Sequence, residues 1–216
     1  MFVIPAINCG DYKTAEEQIK TAVSFIGQGG WIHIDIVDGK FAPNFTWGTP
    51  EELGRIIRDN SLFDINFEIH LMVKNPHDFA EDWFRVGAKR LIVHLETLEN
   101  LQSVIDSAKK HNGELMLAID QDVKIDDAVP FLDKFDYFQI LAVRPGLAGQ
   151  KFIPDSLYRI KFLRQRAPNV KIEVDGGINS ETARLCKEVG ADIVVSASFI
   201  FESGNPEQAY KELLAT

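Results

Sequence analysis

The chain has 216 residues, 45% of them apolar, and a formal net charge of −9. Lys and Arg form no block beyond pairs such as Lys109-Lys110, so the electrostatic footprint of a nucleic-acid binder is missing, and no apolar run approaches the ~20 residues of a membrane span. Cys9 and Cys186 stand far apart without a CxxC, which excludes a zinc-ribbon or thiol-redox motif and suits a reducing, cytoplasmic setting, and the opening MFVIPAINCGDY lacks the basic and long apolar regions of a secretory leader.

Taken in chain order, short β-rich runs alternate with longer amphipathic ones. FVIPAI (2–7) precedes helical spacing over 12–25, WIHIDIV (31–37) precedes 50–58, INFEIHLM (65–72) precedes 76–86, and RLIVHL (90–95) precedes 98–110. ELMLAI (114–119) leads to 125–132, YFQILAV (137–143) to 155–166, KIEVD (171–175) to 180–189, and DIVVSA (192–197) to 206–214. Thr14 and Ser180 are candidate N-caps, and Asn205-Pro206 reads as a cap followed by proline at the first helical position. Eight strand–helix pairs without a Gly/Ser or Pro-rich linker predict an α/β chain with one domain over 1–216, a (β/α)8 TIM barrel of parallel strands ringed by helices. A doubly wound sheet would alternate in the same way. The barrel makes a definite statement about function, which then sits at strand C-terminal ends and in the loops that follow.

Polar groups collect at those ends. His33 and Asp35 lie two apart late in the second strand and therefore share a face, His70 and His94 end the third and fourth strands, and Asp175 ends the seventh. Two imidazoles and two carboxylates at one end suit one divalent ion, with zinc, iron, manganese and cobalt all compatible. An HxD pair alone is a weak signal, since a core histidine with a hydrogen-bond partner would look the same. The glycine-rich stretches RPGLAGQKF (144–152), DGG (175–177) and SASF (196–199) follow the last three strands, where barrels bind phosphate. Gly146, Gly149, Gly176 and Gly177 would let backbone N–H groups approach phosphate oxygens, although each could be an ordinary turn glycine. Metal ligands beside a phosphate cradle suit a small sugar phosphate.

At this point the sequence resembles the ribulose-phosphate 3-epimerase family. The resemblance rests on HIDIVDGKFAPN (33–44), HLM (70–72), PGLAGQKFIP (145–154) and VDGGIN (174–179), in the family's order across essentially the whole chain. It implies a metal-dependent barrel that interconverts D-ribulose 5-phosphate and D-xylulose 5-phosphate, with His33, Asp35, His70 and Asp175 as ligands of one divalent ion. It further implies Asp35 and Asp175 as the paired acid and base. The substrate and its phosphate would be held by His70, Gly146, Leu147, Ala148, Gly149, Gly176, Gly177, Ala197 and Ser198. Partners implied are a small phosphorylated ketose and further copies of the chain, with neither nucleic acid nor membrane.

Several positions depart from the family pattern. Ala6 stands where a substrate-touching serine is usual, so that contact falls to Asn8 or a water; Val37 and Leu141 replace methionines; Ala148 replaces a glycine; and Ala197-Ser198 replaces Gly-Ser. Arg144 before Pro145 reads as an exposed charge or as an extra phosphate partner. These changes leave two alternatives open, an epimerase of another ketose phosphate such as allulose 6-phosphate and a non-catalytic sugar-phosphate or metal-binding barrel. Of the remaining residues, His94 either lines the site or is a hydrogen-bonded barrel histidine. His77 and His111 are expected to face solvent, the three tryptophans to pack at helix–barrel or subunit contacts, and Asp38 to hold the turn at Gly39.

Overall fold

Along the second strand Ile32, Ile34 and Ile36 alternate with His33, Asp35 and Val37, and this period of two sends the isoleucines outward under helices and the polar pair inward. The same alternation repeats in all eight strands of the structure, a computed structural model that describes residues 1–216. The strands are β1 (Phe2–Ile7), β2 (Trp31–Val37), β3 (Asn66–Met72), β4 (Ala88–His94), β5 (Glu114–Ile119), β6 (Tyr137–Leu141), β7 (Lys171–Asp175) and β8 (Ile193–Ser196). They pair in parallel in sequence order, and β8 returns to β1 through Phe2↔Ile193 to Pro5↔Ser196, so the barrel closes and leaves no edge.

The helices are α1 (Tyr12–Ile26), α2 (Pro50–Asp59), α3 (Ala80–Arg85), α4 (Leu101–His111), α5 (Asp155–Arg166), α6 (Ser180–Glu188), α7 (Ser198–Phe201) and α8 (Pro206–Leu214). They cover two apolar clusters of 24 buried residues each, one around Ile34, Leu53 and Trp83, the other around Phe138, Leu163 and Val194. At about 25 cal/mol per Å² of apolar surface this outer layer supplies most of the folding drive. The barrel lumen is different: beside the small apolar groups Ile4, Ala6, Ile193, Val195 and Ile92, Met116, Ala118 it buries His33, Glu68, His70, Arg90, His94, Gln139 and Glu173.

Local chemistry departs from the sequence expectations in a few places. Asp11, not Thr14, caps α1, its carboxylate accepting from Thr14 N and Oγ1; Asn179, not Ser180, caps α6 and accepts from Glu181 N and Thr182 N. Asn205 caps α8 as expected. The span 125–132 forms a 3-10 helix (Ile125–Phe131) rather than an α-helix, in which the ring of Pro130 would clash with the carbonyl four residues before it. The span 76–86 divides into a 3-10 turn (Pro76–Asp78) and α3, and β6 ends at Leu141 rather than Val143. His77 and His111 are half-buried rather than solvent-facing, the latter stacked 6.2 Å from Phe84. No helix is long and apolar enough to cross a membrane.

Candidate metal centre and active-site cleft

Barrel register brings the expected ligands together. Asp35 on β2 lies directly beside His70 on β3, His33 lies one inward step below Asp35, and Asp175 ends β7 across the lumen. One ligand atom from each of His33, Asp35, His70 and Asp175 falls within 4.8 Å of the others. His33 Nε2 is 3.2 Å and His70 Nδ1 3.0 Å from Asp35 Oδ1, while the same nitrogens are 3.9 and 3.5 Å from Asp175 Oδ2. The donor set fits a divalent ion: two imidazole nitrogens and two carboxylates converge in a buried place with no Lys or Arg among them, an arrangement that costs several kcal/mol, roughly, unless a cation or protons compensate it.

Close neighbours shift the proton affinity of Asp35, His33 and His70. Burial opposes ionisation of Asp35, but bonds from His33 and His70 outweigh it and hold its carboxyl well below the usual carboxylate range. Burial likewise opposes charge on the imidazoles; hydrogen bonding to Asp35 and Glu68 nevertheless raises the pKa of His33 well above the ordinary value, and bonding to Asp175 and Asp35 raises that of His70. His94 does not line the cleft. It is fully buried, its Nε2 lies 2.8 Å from His70 Nε2, and burial holds its pKa below the ordinary histidine value, with Glu96 beside it opposing the shift.

Asp35 and Asp175 both border a cleft at the strand C-terminal ends. All eight expected phosphate-loop residues, Gly146, Leu147, Ala148, Gly149, Gly176, Gly177, Ala197 and Ser198, line the same cleft. His33 and His70 lie beneath it at 0% exposure, so His70 reaches this cleft only through Asp35 and Asp175. Gly177 has φ +66° and a Cβ there would stand 2.3 Å from Phe152 N; Gly146 has φ +118° and its Cβ would strike Asn44 Oδ1 at 2.2 Å. Both are therefore turn glycines and cleft-wall glycines at once. Ala148 and Ala197 are not left-handed, so their methyl groups carry no backbone strain. Arg144 lines the rim of the cleft, mostly exposed and paired with Asp122. Leu147 is 64% exposed. Asp38 accepts from Lys40 N, Phe41 N and Lys74 N and so holds the loop after β2, as expected, without joining the ligand cluster.

Asn8 takes a part beyond the substrate contact expected of it, and a second set of side chains escapes a sequence reading. Asn8, just after β1, donates its amide to Asp35 Oδ2 (2.8 Å) and to Gly146 O (3.0 Å), tying a ligand to the glycine loop; the methyl of Ala6 is buried two residues earlier. Beneath His33 lies a ring of charge: Glu68 Oε1 is 2.8 Å from His33 Nδ1, Arg90 donates to Glu68 and Glu114, and Gln139 donates to Glu173. Burial, then the neighbouring Glu68, pushes the pKa of the Glu173 carboxyl well above the usual range. Glu68 and Glu173 each stand two residues before a ligand, at His70 and Asp175, so the period of two carries the signal.

Residues 2–201 match the family model described as Ribulose-phosphate 3 epimerase family. The ribulose-phosphate 3-epimerase of Chlamydia muridarum is 40% identical over 189 residues, covering 85% of this chain and 81% of the relative. The cytoplasmic isoform of that enzyme in Oryza sativa subsp. japonica is 30% identical over 187 residues, covering 85% and 80%. Among solved structures, a 3-hexulose-6-phosphate synthase superposes with a TM-score of 0.74 at 16% identity over 100% of this chain and 99% of its own, a likeness of fold.

Proposed function

The chain belongs to the ribulose-phosphate 3-epimerase family and is an epimerase, and on that premise we propose that it interconverts D-ribulose 5-phosphate and D-xylulose 5-phosphate, with Asp35 and Asp175 as its proton carriers. The observation that carries this reading is that both carboxylates border one cleft that the glycine loops after β6, β7 and β8 also line. Inverting C3 beside a C2 ketone removes a proton from one face and returns one to the other through an enediolate. Each carboxylate accepts in one direction and donates in the other, so no net oxidation occurs and no redox carrier is called for.

His33, Asp35, His70 and Asp175 would hold one divalent ion, zinc, iron, manganese or cobalt, which supplies Lewis-acid stabilisation of the negative charge that develops on the substrate, roughly several kcal/mol. Asn8 keeps Asp35 turned toward the cleft through its 2.8 Å bond. Met72, Leu141 and Val143 belong to the apolar lining, which would exclude water from the reacting carbon. Backbone N–H groups of the glycine loops, with Ser198, would bind the phosphate and so orient C3.

Purified protein is assayed on ribulose 5-phosphate before chelation, after it and after return of each metal; turnover that disappears and returns supports the reading, and turnover indifferent to chelation refutes its metal part. Proton exchange at C3 with solvent is expected, and its absence in metal-loaded protein would leave a binding barrel instead. Specificity constants for ribulose 5-phosphate and allulose 6-phosphate decide between pentulose and hexulose, the question Ala6 raises. The same reading carries a cytoplasmic setting and a homo-oligomer, the latter checked by sedimentation.

A further inference from the structure

A guanidinium is an unexpected occupant of a barrel lumen. Arg90 points inward from β4, is 4% exposed, and has its Cζ 4.3 Å from the centroid of Trp31 and 4.0 Å from that of Tyr137, so two rings clamp its plane. Its Nη1 donates to Glu68 Oε2 at 2.8 Å; its Nε and Nη2 donate to Glu114 Oε2 at 2.9 and 2.7 Å. The other oxygen of Glu68 meets His33 Nδ1 at 2.8 Å, and the opposite nitrogen of that ring faces Asp35. Strand pairing enforces the order, since His33, Glu68, Arg90 and Glu114 are successive partners across β2, β3, β4 and β5. Glu173 Oε1 is 4.0 Å from His33 Nδ1 and does not compete for it.

We propose that Arg90 is a positioning residue of the metal centre: by holding Glu68, it fixes the ring of His33 with Nδ1 donating downward and the Nε2 lone pair turned toward Asp35 and Asp175. The proposal rests on His33 being a ligand. A neutral imidazole carries one N–H, and a carboxylate can only accept, so Glu68 claims that N–H at Nδ1 and leaves Nε2 free to ligate. Glu68 has one oxygen for His33 and one for Arg90, and the guanidinium cannot turn between its two rings. Stability alone does not account for the cluster, because an apolar replacement of a buried ion pair is often neutral or stabilising. Lysine would keep the charge and lose the fork that spans Glu68 and Glu114.

The test titrates Co2+ into metal-stripped wild type, Glu68→Gln, Arg90→Met and Arg90→Lys, following the visible cobalt spectrum, with far-UV circular dichroism and thermal midpoints of each stripped form alongside. Wild type is expected to take up one Co2+, and the variants to bind it on the order of 10- to 100-fold more weakly with an altered spectrum. Zinc-loaded, 15N-labelled wild type is expected to show a slowly exchanging His33 Nδ1–H that Glu68→Gln loses. Folded variants that bind Co2+ with wild-type affinity and spectrum, changed only in thermal midpoint, overturn the proposal and leave Arg90 a structural residue. Should Arg90→Met fail to fold, Arg90→Lys and Glu68→Gln carry the same comparison. A wild type that takes up no Co2+ overturns the ligand reading beneath it instead.

Discussion

The two ends of this barrel solve the same physical problem in opposite ways. At the foot, charge is balanced within the protein: Arg90 satisfies Glu68 and Glu114, aromatic rings close over it, and Glu173 accepts from Gln139 with its pKa raised by burial. At the mouth, Asp35 and Asp175 face two imidazoles and no fixed cation, on the wall of an open cleft. A region that completes its own charge balance is a frame; one that leaves the balance to protons, an ion or a substrate is a site. His33 is the joint between them, bonded downward to Glu68 and upward to Asp35.

The largest expected effect breaks the mouth. Asp175→Asn and Asp35→Asn each remove a proton carrier and a proposed ligand, so turnover of ribulose 5-phosphate should fall on the order of 10²- to 10⁴-fold or more. Near-normal turnover in either variant would end the two-carboxylate mechanism. Next come two glycines of the cleft wall. Gly177→Ala meets both φ +66° and Phe152 N at 2.3 Å, and urea unfolding should register a loss of about 1–3 kcal/mol with a raised KM. Gly149→Ala has φ +76° but open space, so about 1 kcal/mol is expected, and equal losses would show that crowding at Gly177 is relieved by movement of 152.

A smaller effect belongs to the foot. Tyr137→Leu removes one ring from the Arg90 sandwich and should cost about 1 kcal/mol of stability; because Arg90 holds Glu68 and through it His33, Co2+ binding should weaken as well, by less than in Arg90→Met. Unaltered Co2+ affinity would show that Trp31 alone holds the guanidinium in place. The smallest concerns Asp38 in the loop after β2. Burial opposes its ionisation, but three backbone N–H donors outweigh burial and lower its pKa, so its contribution is present above the unfolded value of about 3.9 and is lost as pH falls through the lower folded one. The thermal-midpoint difference between wild type and Asp38→Asn should therefore shrink on acidification below pH ~4; a difference that grows would contradict the hydrogen-bond account.

Much of the mouth was legible in the chain itself. Strand-end placement identified His33, Asp35, His70 and Asp175 because a βα alternation puts every strand's C-terminus at one end, and the glycine stretches followed β6, β7 and β8 for the same reason. The caps were misassigned by a few residues because Asp11 and Asn179 accept from N–H groups that a sequence does not aim. Val37, which stands in place of a family methionine, packs with Ala42 and Met72, of which only Met72 borders the cleft.

What the sequence determined by itself was the number and order of βα units and which groups share a strand face, since these follow from local periodicity and turn chemistry. What only the tertiary structure decided was which face became lumen and what met across it: Asn8 with Asp35, His94 with His70, Arg90 with Glu68. Both faces of a barrel strand are buried, so alternation alone does not tell inside from outside. Closure and register do, by choosing which residues of neighbouring strands stand side by side.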